Sequence, residues 1–245
     1  MDSNTSILNP SIWIGDFEIA EPVTSSTDLL VALVSLIGFF LLIRATHNQR
    51  TDLHSYFKFY FLFFFLGMLS AALLGHAFKT HIHPNFKVIG WSASLLAQLF
   101  LCLGSLFSAQ NLIDIKWFNI IRYSLYIQCI IYLFFVITTA NFTLTQIALA
   151  VMLLGFALPL NIYAYRKTKS NGNLWLLLAI NLAIFTAFMF NLKWSFSKWF
   201  NYHDISHTLM SVVTSFVVIG ATKLSIKKKV KFFVDFVLLN RLPQK

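Results

Sequence analysis

The sequence predicts an all-α, polytopic membrane protein with seven transmembrane helices. Of its 245 residues, 58% are hydrophobic and only 11% are charged, whereas a soluble domain carries roughly a quarter charged residues. Phe, Leu and Ile come in runs that a soluble core of this size could not bury, and the runs are near the ~20 residues that a bilayer requires. The basic residues, in addition, are distributed unequally between the connections.

Seven apolar segments follow one another and are separated by short polar connections. Their predicted limits are about 28–45, 56–79, 88–110, 118–138, 143–164, 173–192 and 203–222. The weakest division is at 139–142, without which one segment would be far longer than a tilted span. The chain is therefore divided into an N-terminal segment (1–27), a helical bundle (28–222) and a basic tail (223–245).

The Lys and Arg residues predict the orientation of the bundle. With the N-terminus outside, 15 of the 19 basic residues fall on the inner side and four on the outer side. This positive-inside bias predicts an extracytoplasmic N-terminus and a cytoplasmic C-terminus in the cell membrane. The net charge of +10 is thus interpreted as a topology signal, and no nucleic-acid partner is expected. The tail is interpreted either as an interfacial helix whose lysines face anionic lipid or as a plain basic tail that follows the positive-inside rule.

Polar side chains inside the predicted spans are first interpreted as residues that pack in the bundle or form hydrogen bonds. Cys102 and Cys129 fall in the middle of apolar segments, where packing is a better interpretation than a disulfide bond. Asn181 and Gln98 are expected to form hydrogen bonds between helices.

Histidines are concentrated at the outer end of the bundle. His203 and His207 are four residues apart at the start of the seventh segment, so they share one helical face. The second segment runs outward and ends near His76, at the same depth. His81 and His83 follow in a loop and are predicted to be solvated rather than ligating.

Three imidazoles at one depth predict a metal site. Three nitrogen ligands that leave one coordination position open suit zinc, which lowers the pKa of a bound water toward ~7 and polarises a carbonyl group. A carboxylate that orients a ligand or moves a proton would come from the neighbouring acidic residues, Asp204, Asp28 and Glu21.

This pattern resembles the superfamily of alkaline ceramidases and progestin/adiponectin-type receptors. The shared features are seven helices, a His at the end of the second helix and a His-x-x-x-His at the start of the seventh. The acidic stretch from Glu21 to Asp28 is similar to the ceramidase branch, which shares the N-out orientation. The resemblance implies zinc held by three histidines, His76, His203 and His207, and hydrolysis of an amide or ester in a lipid.

Two positions depart from that family pattern. The family has a serine four residues before the helix-2 histidine, where this chain has Ala72. The family also has an aspartate in the third helix, where this chain offers Ser92, Ser94 and Gln98 but no acid. Asp204 would take the place of that aspartate.

The function predicted from the sequence is zinc-dependent hydrolysis of a lipid amide or ester by a multi-pass membrane protein. The expected partners are membrane lipids and a lipid-like substrate. Two alternatives remain open. One is a receptor or structural membrane protein in which the metal only clamps helices 2 and 7, and the other is a bis-histidine haem protein.

Overall fold

A computed structural model of the protein describes residues 10–47 and 51–224. Seven of its helices are each 21–27 residues long and are apolar enough to cross a membrane. They are α1 (Pro22–Ala45), α2 (Asp52–Ala77), α3 (Pro84–Ser108), α4 (Ile115–Thr139), α5 (Phe142–Thr168), α6 (Asn171–Asn191) and α7 (Tyr202–Lys223). The seven predicted segments are confirmed as helices, and the described fold is otherwise α-helical except for one β-hairpin.

The hairpin precedes α1 and was not predicted from the sequence. Strands β1 (Ser11–Ile14) and β2 (Phe17–Ala20) pair antiparallel, and Gly15 between them has a φ of +60°, which glycine adopts without steric cost. Helix α1 begins at Pro22, so the predicted boundary at residue 28 was wrong and falls inside the helix. Residues 1–9 and most of the predicted tail, from residue 225 onward, lie outside the described residues.

The turn between α4 and α5 confirms the weakest predicted division. Ala140 ends α4 in the left-handed conformation, with a φ of +48°. The Asn141 side chain then accepts a hydrogen bond of 2.9 Å from the Thr143 backbone N–H, which is a standard N-cap. Two helices of spanning length are therefore separated by a tight turn.

Helix packing places the first and the last of the seven helices side by side. Helix α1 packs against α2 and α7, α2 packs against α3, and α6 packs against α7. Glycines allow the closest contacts: a Cβ on Gly172 would lie 2.9 Å from the carbonyl oxygen of Gly220, and one on Gly67 would lie 3.2 Å from that of Gly90. Small residues at such crossings are typical of helices that pack in lipid.

Large apolar side chains are exposed on the outward faces of the helices. The outward-facing set includes Leu29, Leu33, Phe40, Ile127, Ile130, Phe134, Leu154, Phe185 and Phe188. Exposed apolar surface of this extent would make a soluble monomer associate, whereas a hydrocarbon solvent accepts it. The surface therefore supports the prediction of a multi-pass membrane protein.

Interhelical hydrogen bonds are formed by two asparagines that the sequence did not single out. Asn161 of α5 donates to the Ser105 hydroxyl of α3 at 2.8 Å, and Asn173 of α6 donates to Asn161 Oδ1 at 3.0 Å. Asn173 also donates to the Ser108 hydroxyl at 3.1 Å. This buried network joins three helices at the end of the bundle where α4 begins.

The predicted interhelical role of Asn181 and Gln98 was wrong. Asn181 is exposed and donates to the Leu177 carbonyl of its own helix, and Gln98 lies 4.0 Å from Cys102 Sγ one turn away. Each amide therefore contacts its own helix in the part of the chain that the structure describes. Cys102 and Cys129 are free and buried, as the packing interpretation predicted.

We expect Asn161→Ala to lower the free energy of unfolding by about 1–2 kcal/mol, because it removes two interhelical hydrogen bonds, each of which contributes about 0.6 kcal/mol or more. Denaturation of the purified protein in detergent measures this change. Asn181→Ala is the matched control and should have little effect, because Asn181 bonds only within α6. Equal destabilisation by the two variants would contradict the assignment.

Candidate functional site

Three helix ends meet where the sequence predicted a metal site. The N-terminal turns of α1 and α7 and the C-terminal turns of α2 converge, since α1 packs against both other helices. The ring centroids of His76 and His203 are 5.8 Å apart, those of His76 and His207 are 6.1 Å apart, and those of His203 and His207 are 6.2 Å apart. The three predicted histidines thus form one cluster.

His76 lies in a stretch of π-helix, Ala71–Ala77. The Phe78 N–H bonds the carbonyl of Leu73, five residues earlier, at 2.9 Å. The wider turn changes the face on which His76 lies, and such segments are frequent at functional sites. The hydroxyl of Ser25 in α1 donates to the Ala72 carbonyl at 3.0 Å, which stabilises the irregular turn from outside the helix.

Glu21 links His76 to Lys79. Its Oε2 is 2.5 Å from His76 Nδ1, and its Oε1 is 2.5 Å from Lys79 Nζ. The glutamate precedes the first turn of α1 in the left-handed conformation, with a φ of +46°. A histidine held by a carboxylate at Nδ1 has its tautomer and ring orientation fixed, so that Nε2 is left to face another group.

Asp28 is the buried centre of the cluster. Its Oδ1 is 2.9 Å from His207 Nδ1 and its Oδ2 is 3.6 Å from His76 Nε2, while the side chain is 0% exposed. These contacts lack hydrogen-bond alignment, and within the described residues neither carboxylate oxygen has a hydrogen bond. A buried carboxylate in that condition costs several kcal/mol unless a cation compensates it.

Asp204 fixes the start of α7 rather than touching the histidine rings. Its Oδ2 accepts from the Asn201 N–H at 2.6 Å, and Asn201 Oδ1 accepts from the His203 N–H at 2.8 Å. The Asn201 side chain also accepts from the Asp204 backbone N–H, and the two reciprocal bonds between Asn201 and Asp204 form a capping box. The His203 ring lies against Phe190 and Tyr202, with centroid distances of 5.2 Å and 4.2 Å, so its position is set by packing as well.

The separations of the three imidazoles are near those of zinc ligands, but their rings are not arranged around a common point. Their centroid separations slightly exceed the about 5 Å expected for three imidazoles on one tetrahedral zinc with Zn–N bonds of about 2.0–2.1 Å. Within residues 10–47 and 51–224, however, no group of three or more His, Cys, Asp or Glu side chains has the arrangement of a formed metal site. The rings do not point to a common centre because the Nδ1 atoms of His76 and His207 contact Glu21 and Asp28 instead.

The other two outer histidines do not join the cluster. His81 contacts the Glu18 carbonyl at 2.9 Å through Nε2 and stacks on Phe17 with a centroid distance of 4.3 Å. His81 therefore anchors the hairpin to the end of α2. His83 is exposed, and its Nδ1 accepts from the Asn85 N–H at 3.3 Å. Both side chains are exposed, in agreement with the prediction that they are solvated.

Sequence reasoning missed three polar residues with fixed positions. Lys79 follows His76 by three residues, which is the spacing of one helical face, and that spacing was a usable signal. Ser25 gave no signal because its partner is a backbone carbonyl of another helix. His54 is almost fully buried at the opposite end of the bundle, where its Nε2 is 3.0 Å from the Leu224 carbonyl.

No curated protein and no solved structure is a significant match to this chain. One family model, described as a family of unknown function (DUF6962), matches residues 23–226. The match covers Asp28 and all three clustered histidines, while Glu21 lies just before it. With most of its length in the match, the chain belongs to the DUF6962 family, whose function is unknown.

Proposed function

We propose that the protein is a metal-dependent membrane hydrolase that binds zinc through His76, His203 and His207 and cleaves a lipid amide or ester. The observation that carries this proposal is the convergence of the three imidazoles beside Asp28, a buried carboxylate that accepts no hydrogen bond from the part of the chain that the structure describes. Two carboxylates, Glu21 and Asp28, contact the histidines, and the Lys79 ammonium contacts Glu21. If the imidazoles are neutral, two carboxylates face one ammonium group, and a divalent cation would compensate the excess negative charge.

Zinc fits the chemistry of these side chains better than a hard cation does. Imidazole nitrogens suit zinc, whereas magnesium and calcium prefer oxygen ligands. His76, His203 and His207 would hold the ion if the His76 and His207 rings turned from Glu21 and Asp28 toward it. When bound there, zinc would supply Lewis acidity to a water molecule and to the carbonyl of the substrate.

Asp28 is the residue proposed to move the proton. In the reaction, the attacking water loses a proton to the Asp28 carboxylate as its oxygen bonds the substrate carbonyl carbon. The carbon–nitrogen or carbon–oxygen bond then breaks, and the same proton passes to the leaving amine or alcohol. The third helix contains no acid, so α1 supplies the carboxylate in this proposal.

Glu21 and Asp204 are proposed as positioning residues. Glu21 bridges His76 and Lys79, so it orients one ligand ring as carboxylates commonly do in zinc sites. Asp204 holds the first turn of α7 and thereby fixes His203 and His207 on either side of it. Neither role requires that the carboxylate exchange a proton with the substrate.

A lipid is the proposed substrate because the cluster lies at one end of seven apolar helices. In the proposed orientation, with the N-terminus outside, the histidines lie toward the outer leaflet. A substrate with its cleavable bond near the headgroup would reach them at that depth, while its acyl chain remains among the apolar faces of the helices.

The proposed orientation predicts the accessibility of two exposed lysines. A cysteine at Lys198→Cys should react with a membrane-impermeant maleimide on intact cells, whereas one at Lys167→Cys should react only after permeabilisation. The native cysteines are both buried, so they give little background labelling. The opposite pattern of labelling would show that the N-terminus is inside.

The activity is tested by turnover of a fluorescent lipid amide, and of the matching ester, by the purified full-length protein. We expect hydrolysis that a zinc chelator abolishes and that added zinc restores. Zinc in the protein with no turnover of either substrate would favour the alternative, a receptor or structural protein in which the metal clamps α2 to α7. A Soret absorbance band would instead identify a haem protein.

A further inference from the structure

A second candidate site lies at the opposite end of the bundle, between α4 and α5. It is an open cavity of about 480 Å³, within the range of about 300–1,000 Å³ that small-molecule sites occupy. Its lining is mostly apolar, with Trp117 and Ile121 from α4 and Phe156, Pro159 and Leu160 from α5. The cavity opens to the outside of the bundle, so it is not a gap in the packing of the bundle interior.

This open cavity is a groove that exists because α4 and α5 diverge. The two helices pack together near their shared turn, where Phe142–Met152 contacts α4, and they separate toward the other end. Helix α5 is irregular where the divergence begins, with π-helix at Leu153–Ala157 and Pro159 directly after it. Both features change the direction of a helix. Gly155 leaves space as well, since a Cβ there would meet nothing within 4 Å.

The mouth of the groove combines polar anchors with positive charge. Tyr163 lines it and donates a hydrogen bond to the Leu112 carbonyl at 2.8 Å. The Lys167 ammonium lies 6.0 Å from the centre of the Tyr163 ring, and Lys116 is exposed in the first turn of α4. Asp114 also lines the groove, but one of its oxygens accepts the Lys116 backbone N–H at 2.8 Å as the cap of α4.

We propose that this groove binds one acyl chain of an anionic phospholipid whose phosphate lies beside Lys167 and Lys116. The apolar floor suits the chain, and the lysines at the mouth suit the headgroup, because basic residues at a membrane surface attract anionic lipid. The site is independent of the histidine cluster and of its proposed chemistry. It depends only on the membrane placement of the bundle.

The test is native mass spectrometry of the full-length protein purified in detergent with equal amounts of dioleoyl phosphatidylglycerol and dioleoyl phosphatidylcholine. We expect one phosphatidylglycerol to be retained in preference to phosphatidylcholine. Gly155→Leu adds a side chain at a groove-lining position where a Cβ meets no atom within 4 Å. It should reduce retention at least about tenfold, because burying about two methylene groups corresponds to that factor. Leu154→Phe, which adds bulk to the neighbouring exposed position, should leave retention unchanged.

A second pair of variants tests the headgroup contact. Lys167→Gln should reduce the preference for phosphatidylglycerol about fivefold, the effect of one basic residue near the membrane surface. Lys169→Gln is matched to it, since the Lys169 ammonium lies 5.4 Å from the ring of Tyr165, which is not among the groove-lining residues. Equal retention of the two lipids, or equal retention by Gly155→Leu and the parent protein, would overturn the proposal.

Discussion

Replacement of His203 and His207 together by alanine is expected to reduce the zinc content of the purified protein from about one ion per chain to a small fraction of that. The two residues supply two of three proposed ligands, and one remaining imidazole cannot hold zinc in competition with water. Elemental analysis by inductively coupled plasma mass spectrometry measures the zinc content. Alanine favours helix, and the capping box of Asn201 and Asp204 remains, so α7 should still form.

The matched control is the double variant His81→Ala, His83→Ala. These residues are also a close pair of histidines near the same end of the bundle, but they lie outside the cluster. Their loss should loosen the hairpin and leave the zinc content unchanged. Equal zinc in the α7 double variant and in the parent protein would refute the metal site, whereas loss in both variants would indicate unspecific binding by exposed imidazoles.

The helices and the depth of the histidines were predictable because both depend on local properties of the chain. The length of an apolar run indicates a spanning helix, and alternating direction then places His76 beside His203 and His207. Even the short turn before Asn141 was predictable, since the alternative was a helix far too long. The helix limits were less accurate, and α1 begins at Pro22 rather than at residue 28.

The details that determine the chemistry of the cluster depend on contacts between distant segments, which no local pattern reports. The sequence offered three acids without ranking them. Only packing shows that Asp28 is fully buried between two imidazoles, while Asp204 is used as a helix cap. The π-helical turn that carries His76 likewise has no sequence signature, and neither has the choice of Asn161 over Asn181 as the interhelical bonding group.

The second large expected effect follows from replacing the Asp28 carboxylate. We expect Asp28→Asn to lower the rate of lipid hydrolysis about 10²–10⁴-fold, the usual contribution of a general base, when zinc is supplied in excess. Asparagine has nearly the same shape but cannot accept the proton. The same variant should keep or raise the melting temperature of the zinc-free protein, because it removes a buried carboxylate that has no hydrogen bond among residues 10–47 and 51–224 and that costs stability there.

Asp204→Ala should show the opposite pattern and serves as the control. It removes half of the capping box, so unfolding should become easier by about 1 kcal/mol, while the rate per folded, zinc-loaded molecule remains close to that of the parent protein. A stability effect without a rate effect at residue 204, and a rate effect without a stability loss at residue 28, would separate the positioning residue from the proton acceptor. Full turnover by Asp28→Asn would exclude Asp28 as the base and leave the cluster with a purely metal-holding role.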